Sequence, residues 1–287
     1  MKDLLSPKQV ARAMGVSESS LKRWCDRGLI PTVRTAGGHR RLPISGVLAF
    51  LRETKQNLVA PELLGLPVSS GKTEWVTDRA REVLREALLA GDEEACRQTI
   101  FDSWLSGRRL SEICDRVIAG AFVDIGDKWA CREAEVYQER RACEIVIRTL
   151  HELRSGLPPG DPQYLALGGT AEGDQYVIPT TAAELVLRDS GWQARSLGSS
   201  IPFASLAVAI REHRPKLFWL SVSYIADPAR FLKEFQLLNA AATETGTAIT
   251  VGGFALGEDV RRHMRYSAFC DTMQHLEEFA NTLRLRA

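Results

Sequence analysis

YLALGGTAEGDQYVIP, residues Tyr164–Pro179, reads as a buried strand that runs into a Gly-rich turn and then a polar loop. In an open α/β sheet, ligands sit where loops leave the carboxyl ends of strands. The loop after Gly169 is therefore the first place to look for a ligand. Gly168, Gly169 and Gly173 do not make the GxGxxG spacing, and no Lys-Ser/Thr follows Gly173, so a nucleotide phosphate loop is excluded.

Downstream of this stretch the pattern alternates. Strands are predicted at Tyr164–Gly168, Gln193–Leu197, Leu217–Ser221, Ala248–Val251 and Ala268–Cys270. Helices are predicted near Thr180–Ser190, Phe203–His213, Asp227–Ala242, Glu258–Arg265 and Met273–Leu285. Such alternation specifies a doubly wound parallel sheet of the flavodoxin-like kind, occupying residues 158–287. Upstream, residues 74–157 carry helical periodicity and few breakers. Four helices, Glu74–Ala90, Asp92–Ser106, Leu110–Cys131 and Ala134–Arg154, are predicted to form a bundle. Residues 56–73 are rich in Pro, Gly and Ser and read as a flexible linker.

The first 55 residues differ in charge from the rest. They hold 11 Lys/Arg against 4 Asp/Glu, while the whole chain has a net charge of +1. One basic end on a mildly acidic body implies a polyanion partner for that end alone. Ser6-Pro7 starts a helix that stops at Gly15, and Ser17 caps a second helix through Asp26. Two helices across a tight turn make a helix-turn-helix. The stretch LKRWCDRGLIPTVRTAGGHRRLP resembles the MerR and excisionase-like winged helix-turn-helix over residues 4–53. A recognition helix would offer Ser17, Ser19, Lys22 and Arg23 to bases and phosphates. The tight turn at Gly37-Gly38 would let His39, Arg40 and Arg41 meet backbone phosphates. Trp24 is expected in the core.

In the opening stretch, Asp174-Gln175-Tyr176-Val177-Ile178-Pro179 resembles the Asp-x-His-x-x-Gly loop of cobalamin-binding domains, with Tyr for His and Pro for Gly. Ser221-Val222-Ser223 and Gly252-Gly253 resemble that family's serine turn and Gly-Gly, which line the slot for the nucleotide tail. GDKWACREAEVYQERR, residues 126–141, resembles the helical cap over the ligand's upper face, with Trp129, Val136 and Glu139 in place and Arg140 where a His stands. The whole layout is similar to the light-sensing, adenosylcobalamin-dependent MerR repressors. Asp174, Tyr176, Ser221, Ser223, Gly252 and Gly253, with the four cap residues, are the implied ligand contacts.

A phenol is a poor cobalt donor when protonated. The departures thus favour another tetrapyrrole over cobalamin. A bilin could have its propionates paired by Arg140 or Arg141 and a thioether to Cys131 or Cys143. A haem could be held by Tyr176, His151 or a cysteine. The other reading is a domain without a chromophore, serving only oligomerisation or protein contact.

No apolar run reaches the length of a membrane span, and no signal-peptide core opens the chain, so a cytoplasmic location is expected. No acid/base pair or nucleophile triad is legible, so no enzyme is expected. The expected protein is a transcriptional regulator that binds a double-stranded operator as a dimer or tetramer, its body sensing light or a tetrapyrrole.

Overall fold

In this computed structural model the described residues are 4–56, 58–67, 77–130 and 135–285, of which 128–130 are described by backbone alone. The chain divides into two units, Met1–Pro158 and Pro159–Ala287.

The first unit begins with the winged head. Strand β1 (Leu4–Leu5) precedes α1 (Pro7–Met14), which Ser6 and Gln9 close in a capping box and Gly15 ends in the left-handed region. Ser17 caps α2 (Glu18–Asp26) by accepting from the Ser20 amide at 3.1 Å. The wing is β2 (Val33–Arg34) against β3 (Arg40–Pro43), antiparallel, with β1 on the other side of β3. Helix α3 (Ile44–Thr54) follows. Trp24 packs on Phe50 with ring centroids 5.0 Å apart, a core contact between α2 and α3.

The 56–73 stretch is not loose throughout. The amides of Val59 and Ala60 donate to the Ala13 carbonyl, a 3-10 turn runs over Pro61–Leu64, and Leu58, Leu64 and Leu66 are buried. Leu-rich spacing too short for a helix still supplies enough apolar surface to pin this segment to α1. Residues 68–73 lie outside the described residues.

The bundle consists of α4 (Thr77–Ala90), α5 (Glu93–Leu105), a broken third helix and α8 (Val136–Ser155). The third helix was expected to be regular over Leu110–Cys131. It is α6 (Leu110–Glu112), a π turn over Ile113–Ile118 and α7 (Ala119–Ala130). The wide turn keeps Ile113, Cys114, Val117 and Ile118 all buried. Arg81 of α4 grips the Asp124 carboxylate of α7 across Gly120, where a Cβ would lie 2.8 Å from the Arg81 side chain. The head is docked on this bundle rather than swinging from it. The Arg52 guanidinium lies 4.7 Å from the Trp104 ring and donates to the Arg108 carbonyl, while Leu48 closes on Gly156.

The second unit is a five-stranded parallel sheet in the order β5-β4-β6-β7-β8. Its elements are β4 (Asp161–Thr170), α9 (Val177–Asp189), β5 (Trp192–Ser196), α10 (Phe203–His213) and β6 (Leu217–Ser221). They continue with α11 (Pro228–Thr245), β7 (Ala248–Gly252), α12 (Glu258–Arg261), β8 (Ala268–Phe269) and α13 (Met273–Leu285). One face is filled by Leu167, Phe218, Leu220, Ile249 and Val251 against α10 and α11. The other holds Ala166, Trp192, Leu217 and Trp219 against α9 and α13. Strand order reverses at β4, which lies between β5 and β6, so the carboxyl edge there is the ligand edge of this fold.

The Arg81 hydrogen bond holds the Asp124 carboxyl below its usual range. A depressed carboxyl pKa adds stability above the unfolded value and loses it as pH falls through the folded one. The bundle should therefore weaken in acid, and Asp124→Asn should flatten that dependence. Helical circular dichroism followed against urea at a series of acidic pH values checks this.

Candidate functional site

The head presents its polar residues outward. Ser17, Ser19, Lys22, Arg23 and His39 are all exposed. Two of them are already engaged within the chain: Ser17 is the helix cap, and the Ser19 hydroxyl sits 2.8 Å from the Ser17 hydroxyl. Arg40 is half-buried, and its guanidinium is tied to Asp26 at the end of α2 at 2.8 Å. That ion pair links the wing to the end of α2. Arg41, its neighbour, donates to the Arg40 carbonyl at 3.3 Å. The Thr35 amide donates to the His39 carbonyl, and Gly38 takes φ 77°, as the tight wing turn needs.

At the start of α8, Val136 and Arg140 are exposed and Glu139 is half-buried. The Trp129 side chain lies outside the described residues. Arg141 donates to the Leu89 carbonyl at 2.6 Å, at the end of α4, and its guanidinium lies over the Tyr137 ring at 5.8 Å. Burial pushes the Cys143 thiol up to about 11.

In the second unit the structure brings six predicted residues to one edge. Asp174 is fully buried. Its carboxylate accepts from the Tyr176 amide at 3.0 Å, the Ser223 amide at 2.6 Å and the Tyr224 amide at 3.3 Å. One side chain thereby ties the loop after β4 to the loop after β6. The Thr170 hydroxyl donates to the Asp174 carbonyl at 2.7 Å and accepts from the Ser200 amide at 2.8 Å, which ties in the loop after β5. Ser221 pairs in register with Gly252, and Gly253 lies against Val222. Around this edge stand three exposed aromatic residues on three loops: Tyr176 at 48%, Tyr224 at 50% and Phe254 at 100% exposure. Tyr224, Phe254 and the Thr170–Ser200 pair escaped the sequence reading. Only their places after strand ends could have flagged them.

Comparisons with known proteins bear on both units. Residues 4–55 match the model of a helix-turn-helix domain, and residues 80–154 match the model of a B12 binding domain. The chain joins a helix-turn-helix domain to a B12 binding domain. The HTH-type transcriptional repressor CarH of Myxococcus xanthus is 25% identical over 264 residues, covering 85% of this chain and 87% of that protein. The monomethylamine corrinoid protein of Methanosarcina barkeri shares the fold, with a TM-score of 0.59 at 15% identity over 73% of this chain and 100% of that one.

The B12 match overturns the expectation of a bilin or haem. The side chains give the physical reason. Arg141, offered to propionates, has its guanidinium turned to the Leu89 carbonyl and the Tyr137 ring. A thioether forms from a thiolate, and the half-buried Cys143 thiol is pushed up to about 11. Cys131 lies outside the described residues. Among the described residues, no helix is long and apolar enough to cross a membrane.

Asp174→Ala leaves three amides without their acceptor. It should cost the second unit about 3–5 kcal/mol, read from its urea transition. In the head, Arg41→Ala should weaken binding to all DNA sequences alike and lower the salt slope by about one. Asp26→Ala, which releases the Arg40 guanidinium, should raise non-specific affinity. Fluorescence anisotropy on labelled duplexes across a salt series measures both.

Proposed function

We propose that this chain is a transcriptional regulator that binds operator DNA through residues 4–55 and cobalamin through its B12 domain. Ligand state sets self-association, and self-association sets operator occupancy. The observation that carries this reading is the presence of both domain matches in one chain. A named transcriptional repressor aligned over 85% of the chain supports repression as its action.

The fold supports coupling between the two functions. The head and bundle form one unit, joined by Arg52 on Trp104 and by the ordered 58–67 segment. A change in bundle packing is then carried to α3 and the wing rather than lost in a loose tether. A winged head reads paired half-sites, so a dimer or tetramer on a two-fold operator is the working form, in the cytoplasm. Light is the proposed signal, following the resemblance of the loop and cap residues.

The fit of cobalamin is specific in one respect. None of the loops that follow β4, β5, β6 and β7 carries a His, and Tyr176 stands in the motif position with its ring half in solvent. These loops offer cobalt no imidazole. The exposed rings of Tyr176, Tyr224 and Phe254 at this edge offer a corrin macrocycle apolar contact instead.

The test is a cobalamin titration of the purified full chain, kept dark and then lit, with sedimentation and operator binding measured in each state. A coloured complex whose operator affinity differs between the states by about tenfold or more is the expected result. A protein that binds no cobalamin, with the same assembly in all states, overturns the reading.

A further inference from the structure

The α9 side of the sheet is filled where a ligand's tail would have to enter. Trp219 of β6 has Gly168 of β4 and Thr250 of β7 as its register partners. A Cβ at Gly168 would lie 2.0 Å from the indole, so the ring lies over that glycine. The indole N–H donates to the Thr180 hydroxyl of α9 at 3.0 Å, and Trp219 is 3% exposed. Paired residues of a parallel sheet share a face, which puts Thr250 beside the ring. The Thr250 hydroxyl is buried without a hydrogen-bond partner among the described residues. An apolar ring fills the space there but offers that hydroxyl nothing.

The loops at the mouth are tied together as well. The Asp174 carboxylate spans two loops, and the open sides of Gly252 and Gly253 face the chain's own Cys270 and Val222 carbonyls, each 2.2 Å from where a Cβ would be. The Cβ side of each of these glycines is taken by the protein's own backbone. An indole is a fused bicycle of the same ring shape as the dimethylbenzimidazole that ends cobalamin's nucleotide tail.

We propose that Trp219 is a built-in substitute for that base. The second unit takes a corrinoid by its macrocycle, against Tyr176, Tyr224 and Phe254, and leaves the nucleotide tail outside the sheet. Cobalt receives no imidazole from the loops after β4, β5, β6 and β7. His275, the imidazole that follows β8, meets Asp271 through Nδ1, so its Nε2 is the nitrogen that His275→Ala puts to the test. The inference rests on the corrinoid binding proposed above and adds what is recognised: the ring, not the tail.

The experiment is a titration of the full chain with aquocobalamin and with aquocobinamide, which lacks the tail, followed by visible absorption. Burying an aromatic base in an apolar slot would favour cobalamin by well over tenfold. The expected result is a ratio below about tenfold, with bound cobalamin keeping the spectrum of its own base on cobalt. A larger ratio, or a spectrum with that base displaced, overturns the plug and leaves corrinoid binding standing. Binding of neither compound overturns the corrinoid reading and this inference with it. Trp219→Ala, where circular dichroism shows it folded, should open the slot and raise the ratio about tenfold; an unchanged ratio counts against the plug. If that variant does not fold, the wild-type ratio decides. His275→Ala should leave the spectrum of bound cobalamin unchanged, and a changed one overturns the claim about cobalt.

Discussion

The ligand edge of the second unit depends on one carboxylate. Asp174 is buried, and a buried charge is tolerated only when its oxygens are satisfied. Three backbone amides from two loops satisfy it. Each charge-assisted hydrogen bond of this kind contributes about 1.5–3 kcal/mol, enough to hold irregular loops that have no ladder of their own. The resemblance placed this Asp beside a metal-ligating His. With Tyr176 in that position and half exposed, the carboxylate closes the edge instead.

The same economy runs through the first unit. Several cations that look available in the sequence are engaged by the chain itself. Arg40 is fixed to Asp26, Arg141 to the Leu89 carbonyl and Arg52 to the Trp104 ring. Arg97 bridges Glu152 and the Gly65 carbonyl, which anchors the ordered part of the 56–73 stretch to the bundle. A charge count is still informative about the polyanion partner of the head. It does not say which guanidiniums point outward, because that depends on partners distant in sequence.

Much of the fold was legible. Helix caps at Ser6 and Ser17, the glycine stops and the strand–helix alternation after Pro159 fall where local rules put them. The π turn at Ile113–Ile118 was not, since one extra residue per turn leaves the apolar spacing intact. The order of the 58–67 segment is not legible, because its prolines and glycines suggest looseness while Leu58, Leu64 and Leu66 are buried and its amides reach α1. Of the site, Asp174, Ser221, Ser223 and the glycine pair do converge on one edge. The ligand class is not legible from Tyr176 and Arg140, because a single substituted position says less about the ligand than the match over residues 80–154.

The sequence alone determined which residues face which side of each element, because a strand repeats every two residues and a helix every 3.6. It also determined the basic head and the loop that leaves β4. Only the tertiary structure decided how much room is left. Trp219 lies 51 positions beyond Gly168 in the chain, yet its ring covers that glycine and reaches Thr180 of α9. Periodicity assigns a side chain to a face; whether that face holds a slot or a plug depends on the volumes that parallel pairing and helix packing bring together.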